Sequence, residues 1–253
     1  MLDVTAYLQR IGYQGSLIPN AQTLRDLQLA HLRSVPFENL SIHAGEAIVL
    51  DDASLFEKIV IRRRGGFCYE ANGLFACLLR ELAFRVSMLS AEVANPAGEF
   101  SRPFDHMALM VQLEQRWLVD VGFGDSFLEP LLIDERGEQP QANGVYRIVP
   151  AGAQLVLMHL DEQREWKPQY RFSLEPHKFA DYQEMCVYHQ TSPDSHFTKN
   201  RLCSIATATG RVTLSGMRLI STAGDGSRSE RTILSDEEFA AILRDQFGVV
   251  MTT

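Results

Sequence analysis

Cysteine and tryptophan are scarce in this chain, with 4 and 2 in 253 residues. Cys68, Cys77, Cys186 and Cys203 are irregularly placed and form no CxxC pair. That excludes the usual zinc and dithiol-exchange motifs and predicts free thiols in a reducing compartment, with no metal. No apolar run approaches the roughly 20 residues of a spanning helix. The start Met1-Leu2-Asp3 lacks the basic flank and apolar core of a secretion signal, so a cytoplasmic protein without a membrane partner is expected. Positive charge is also in deficit: 24 Lys and Arg against 32 Asp and Glu give a formal charge of −8, which argues against a nucleic-acid partner. Arg62-Arg63-Arg64 is the one basic run, and it reads as a solvated stretch or a partner for Glu38 or Glu70 before it reads as a phosphate contact. There is no GxxxxGK phosphate loop, internal repeat, low-complexity tract or Gly/Ser linker.

What is present suffices for a sizeable core, as 45% of residues are hydrophobic and 22% charged. The pattern changes twice. Residues 1–85 read as helical: Leu24, Leu27 and His31 share a face of a helix over Thr23–Leu32, with Pro36 beyond its end. His31 on that face is expected to be a satisfied core histidine. Residues 86–185 turn to short alternating runs broken by Asn95-Pro96, Ala97-Gly98, Asn143-Gly144 and Lys167-Pro168, which is the pattern of an antiparallel sheet or barrel. Residues 186–253 add short strands around Ile205, Val212, Leu219 and Ile233, then one closing helix. A capping box of Ser235 and Glu238, a staple of Leu234 and Phe239, a buried stripe of Phe239, Ile242, Leu243 and Phe247, and a stop at Gly248 specify that helix.

Two stretches carry chemistry. In Arg64-Gly65-Gly66-Phe67-Cys68-Tyr69-Glu70 a cysteine follows two glycines at the start of an apolar-periodic segment, Leu74, Cys77, Leu78 and Leu82 sharing its face. Cys68 is therefore expected in the first turn of a helix, where free N–H groups and the helix dipole favour a thiolate. The glycines permit a sharp turn and a close ligand approach. Cys77, beside Leu74 and Leu78, reads as a small core residue. Further on, Phe104–Val111 and Trp117–Phe123 read as strands joined by Glu114-Gln115-Arg116 into an antiparallel hairpin that carries His106 and Asp120. Thiol, imidazole and carboxylate together supply a nucleophile, its base and the group that orients the base. Asp120, inside Leu-Val-Asp-Val-Gly, needs a buried partner. A tight turn centred on Gln115 would set Asp120 opposite Met110, so reaching His106 requires a bulge or a wider turn. Taken singly, His106 also reads as a capped surface histidine and Asp120 as a structural N–H acceptor.

These blocks, with Tyr7–Tyr13, His31–Leu40, Asp120–Gly124 and Tyr188–Phe197, resemble the arylamine N-acetyltransferase family along almost the whole chain, in family order. The resemblance implies an α+β fold with an N-terminal helical bundle, a central antiparallel β-barrel and a C-terminal α/β lid around a cysteine-protease-like core. It implies a catalytic triad of Cys68, His106 and Asp120 that meets in space. It further implies transfer of acetyl from acetyl-CoA, through acetyl-Cys68, to an arylamine, arylhydrazine or N-hydroxyarylamine in a monomer or homodimer. Phe37, Tyr69, Phe123 and Phe197 lie beside the family motifs and are candidate walls for a flat aromatic acceptor. Gly122 and Gly124 flank Phe123 and would let CoA or substrate backbone approach; in a strand they would equally mark a bulge. The chain is shorter than the family pattern in the hairpin after His106 and in later loops, which implies a more open pocket. Two other classes share these residues: a papain- or transglutaminase-like thiol hydrolase or amide synthase, and a non-catalytic binding or redox-sensing protein with a reactive Cys68.

Overall fold

The structure, a computed structural model, describes residues 2–251. Helices Val4–Arg10, Ala21–Ser34 and Cys68–Glu81 dominate the first third, with short helical segments at Leu40–His43 and Asp52–Phe56 between them. Side-chain oxygens of Asp3 and Asn20 cap the first two by accepting the N–H of Ala6 and Thr23. Helix Ala21–Ser34 outruns the expected 23–32 at both ends and stops where Val35 turns extended ahead of Pro36. His31 is a core residue as expected but is satisfied at one ring nitrogen only, since Nε2 has no hydrogen-bond partner among the described residues. Its Nδ1 lies 2.8 Å from the Tyr7 hydroxyl, the Phe75 ring meets its edge, and burial pushes its pKa down to about 3.

An eight-stranded antiparallel sheet follows, in the order Leu131–Leu132, Arg116–Val119, His106–Gln112, Arg85–Val93, Trp166–His177, Gln154–Leu160, Gly144–Ala151 and Gln139–Gln141. Two glutamines nearly close it into a barrel by standing in for a backbone ladder at the seam. Gln139 accepts from the Leu132 N–H (2.8 Å) and donates to the Leu132 carbonyl (3.0 Å). Gln141 accepts from the N–H groups of Leu128 and Glu129 and donates to the Glu129 carbonyl. Both edges thereby lose most of their free hydrogen-bonding groups. Leu89, Ala108, Leu118, Tyr170 and Phe172 fill the interior.

A second, five-stranded sheet runs Phe37–Glu38, Leu202–Thr207, Gly210–Ser215, Arg218–Ala223 and Arg228–Thr232. Its first strand comes from the helical part of the chain, so this sheet reaches back to the segment just ahead of the nucleophile motif. Helix Asp236–Phe247 buries Phe239, Ile242, Leu243 and Phe247 against Cys203 and Leu214 and ends at Gly248 with φ +65°. Its start departs from expectation. Ser235 accepts the Glu238 N–H, but the Glu238 carboxylate reaches back to the N–H of Leu234 and not of Ser235. Leu234 is 86% exposed, so no staple forms; the Arg201 guanidinium covers the Phe239 ring instead, 4.0 Å from its centre.

Two further expectations change. Cys77 is half-buried and not a core residue: its thiol lies 3.1 Å from Asp52 Oδ1 on the wall of a surface groove. Helix Gln183–Thr191 has no counterpart in the sequence reading, because Cys186 and His189 are its buried residues and two positions make no apolar stripe.

Candidate active site

The segment before Cys68 is held from three directions. Arg10 is 6% exposed and donates to the carbonyls of Ser34, Ile59, Arg63 and Arg64. Arg64 is fully buried and pairs with Glu38 at 2.9 Å, while Lys58 pairs with Glu70 at 2.6 Å. Burial alone would raise the Glu38 carboxyl, but Lys58 and Arg64 outweigh it and hold it below the usual carboxylate range. The basic run is thus split: Arg64 is a structural cation, and Arg62 pairs with Glu46 at the surface. Gly65 and Gly66 are explained by the chain itself and not by a ligand. A Cβ on Gly65 would stand 1.9 Å from the Pro36 carbonyl oxygen, and one on Gly66 would stand 2.6 Å from Glu70 Cβ. The Glu38 N–H bonds the Gly66 carbonyl at 3.0 Å, so the edge strand Phe37–Glu38 lies directly on the glycine pair.

Cys68 is the first residue of helix Cys68–Glu81 and is 3% exposed. Its position matches the expectation, but its electrostatics do not. Burial pushes the thiol well above its ordinary value, Asp105, Asp120 and Cys186 add to the shift, and a hydrogen bond with the Met107 N–H opposes it. Burial thus works against the thiolate that a helix start favours.

His106 opens strand His106–Gln112. The hairpin register pairs Leu109 with Val119 and Met110 with Leu118, so the turn centres on Glu114 and not Gln115. That two-residue shift carries Asp120 from opposite Met110 to the level of Ala108. There the strand ends, and the diagonal neighbour His106 lies on the same face. His106 Nε2 is 2.7 Å from Asp120 Oδ2, with both residues 3% exposed. No bulge is required. With Nε2 engaged by the carboxylate, Nδ1 is the ring nitrogen left for a partner on the cleft side.

Asn72, one turn after Cys68, is the residue that the sequence reading missed. Its Nδ2 donates to the Met107 carbonyl (2.7 Å) and to Asp120 Oδ1 (2.9 Å), and its Oδ1 accepts the Val121 N–H (2.9 Å). One buried amide thus ties the cysteine helix to both strands of the hairpin. Its position four residues beyond Cys68, on the same helix face, was the available signal. Gly122 completes the junction: its N–H donates to Asp120 Oδ1, and a Cβ there would fall 2.7 Å from Cys68 Cα.

Cys68 and His106 both line a cleft of about 160 Å³. Phe37, Phe123 and Phe197 line it, and Val93, Asp105, Gly122, His196 and Leu202 join them. Tyr69 is not among the lining residues. It is fully buried behind them, and its hydroxyl donates to the carbonyls of Phe104 and Asp105. Gly124 is also outside the lining; its φ of +93° accounts for the glycine. Among the described residues no group of three or more His, Cys, Asp or Glu is arranged to hold a metal ion, and no helix is long and apolar enough to cross a membrane.

Mixed helices and sheets, a nearly closed antiparallel barrel, and a thiol and a carboxylate-bound imidazole on one cleft describe a cysteine-nucleophile site of the kind that acyltransferases and thiol hydrolases share. A family profile described as N-acetyltransferase matches residues 20–253. Chicken arylamine N-acetyltransferase, pineal gland isozyme NAT-10, is 35% identical over 275 residues, covering 99% of this chain and 95% of its own. The solved arylamine N-acetyltransferase of Salmonella typhimurium superposes with a TM-score of 0.94 at 29% identity, covering 100% of this chain and 93% of that one. The Mycobacterium marinum arylamine N-acetyltransferase in complex with CoA gives 0.91 at 33% identity, covering 98% and 93%. The chain belongs to the arylamine N-acetyltransferase family and is an acyltransferase of that family.

Proposed function

We propose that this enzyme transfers an acetyl group from acetyl-CoA to an aromatic amine, hydrazine or hydroxylamine by a two-step exchange through acetyl-Cys68. The observation that carries the reading is a buried thiol sharing one apolar cleft with an imidazole whose far nitrogen is bound to a buried carboxylate. Because burial favours the thiol, His106 acts as general base: it takes the Cys68 proton as the sulfur attacks the thioester carbonyl. Asp120 fixes the tautomer and stabilises the imidazolium. The Cys68 backbone N–H, at the helix start, donates to the developing oxyanion, a contribution of roughly 3–4 kcal/mol in comparable sites. CoA leaves with the proton from His106, and thioester exchanges for thioester at little net cost. The acceptor nitrogen then attacks the acetyl carbon, His106 removes its proton, and the C–S bond breaks to release the acetylated product as the proton returns to Cys68.

Phe37, Phe123 and Phe197 sandwich the flat acceptor, while Tyr69 holds the Phe104–Asp105 backbone beneath it. The relative solved with CoA supports CoA as the donor carrier. The three-part division at 85 and 185, with residues 186–253 as a lid, is retained as part of this proposal. So are the cytoplasmic setting and the approach of CoA past Gly124.

Intact-mass measurement after brief mixing with acetyl-CoA tests the scheme. One added acetyl group is expected, absent in Cys68→Ala and lost as acetylated product appears on adding 4-anisidine. An unmodified protein under every condition would sink it.

A further inference from the structure

A second imidazole–carboxylate pair stands beside the first. Asp105 immediately precedes His106 and lines the cleft, and its Oδ1 lies 3.1 Å from Nε2 of His189. His189 is 2% exposed, its Nδ1 is 3.1 Å from the Ser195 hydroxyl, and the Phe67, Tyr69 and Phe197 rings surround it. The pair is therefore fixed in place, with the carboxylate at its open end. Burial would raise the Asp105 carboxyl, but hydrogen bonds from His189 and Ser101 outweigh it and keep the group ionised at neutral pH. Among the described residues no lysine or arginine lies within salt-bridge distance of Asp105.

The other groups lining the cleft sharpen the effect of this charge. Asp105 is the one carboxylate among the described lining residues, which include no lysine or arginine. His196, at the mouth, is held below its ordinary imidazole value by partial burial and by His189, so it is neutral near pH 7 and offsets nothing. Phe37, Phe123, Phe197, Val93 and Leu202 supply apolar surface, next to which a fixed charge acts more strongly than in water.

From this arrangement we infer that Asp105, oriented by His189, is a specificity residue that excludes carboxylate-bearing aromatic acceptors from acetyl-Cys68 and favours neutral or cation-bearing ones. The inference rests on the acetyl-transfer reading above and deepens it. CoA is not penalised in the same way, because the part of it that must reach Cys68 is the uncharged acetyl-thioester end. Repulsion between like charges supplies the discrimination, which is a built-in cost to the wrong partner and not a better fit to the right one.

The test compares 4-aminobenzoate with 4-aminobenzamide as acceptors for the acetylated enzyme in the wild type, Asp105→Asn and Asp105→Ser. Dividing the amide kcat/KM by the acid kcat/KM within each protein removes general losses, and comparing that ratio between proteins cancels the intrinsic reactivity of the two amines. A wild-type ratio at least about tenfold higher than in either variant is expected. Equal ratios in all three proteins overturn the inference. The mass of acetyl-Cys68, read first, separates this from failure of the acetyl-transfer reading: no adduct overturns both, whereas an adduct with unchanged ratios overturns the acceptor filter alone.

Discussion

On the side of the cleft built by the cysteine helix and the barrel, Cys68, His106 and Asp120 are each 3% exposed, and the Asn72 amide and the Asp120 carboxylate are hydrogen-bonded at both ends. On the side that leads into the five-stranded sheet, Phe37 and Phe197 present apolar rings, Leu202 is half-buried and His196 is exposed. The first side is over-determined: several elements pin each polar atom, and losing one bond strands the others. The second has its backbone tied by Asn39, which donates to the Phe197 and Asn200 carbonyls and accepts the Leu202 N–H, but it presents apolar side chains to the cleft, which tolerate change in shape more readily than the first side tolerates change in chemistry. The proposed catalysis lives on the first side and acceptor choice on the second, with Asp105 as the exception that puts a charge next to both.

That contrast can be broken by substitution. Asp120→Asn, which keeps the shape but removes the charge, is expected to lower kcat by about 10³–10⁴-fold with little change in acceptor KM, as comparable triads do when the tautomer is lost. A loss under tenfold would mean that the buried carboxylate does not serve the imidazole. Asn72→Ala strands the Val121 N–H and removes a donor from the Met107 carbonyl and from Asp120 Oδ1, which keeps only the Gly122 N–H. It should cost about 1–3 kcal/mol in urea unfolding, with kcat falling more than tenfold. Unchanged kcat in a destabilised protein would make Asn72 a strut and not a positioning residue.

Phe197→Ala, on the other side, should raise the KM of a neutral arylamine about tenfold while the rate of Cys68 acetylation changes little. Equal damage to both half-reactions would erase the distinction between the sides. The smallest effect on turnover is expected far from the cleft, at His31, where stability is what changes. Its imidazole titrates at about 3 in the folded chain against an ordinary 6.5, so the unfolded chain binds the extra proton between those values. Stability is therefore whole above pH 6.5 and drains away as pH falls toward 3, at up to about 1.4 kcal/mol per pH unit from this group. His31→Gln should flatten the dependence of urea stability on pH between 6.5 and 4; an identical slope would show that other groups carry it.

Much of this molecule was legible from local pattern. The helix that begins at Cys68, the sheet that occupies the middle of the chain, the core role of His31 and the closing helix with its Gly248 stop all follow from periodicity and capping, which depend on neighbours within a few residues. Helix Gln183–Thr191 was not legible because a helix with two buried positions leaves no stripe. Leu234, read as a staple, lies in solvent because Arg201, distant in sequence, already covers Phe239.

By itself the sequence determined the reactive residue types, their order, and the local turn that sets Cys68 at a helix start, since these depend on short-range sterics and on the chemistry of each side chain. Tertiary structure decided the rest. The hairpin register that joins Asp120 to His106, the buried Asn72 that locks the junction, the upward push of burial on the Cys68 thiol and the pairing of Asp105 with His189 each join residues at least 14 apart in sequence, or a residue with its burial. Such couplings arise only when the chain closes on itself and water leaves, because a hydrogen bond or a charge acquires its strength from the surroundings that packing creates.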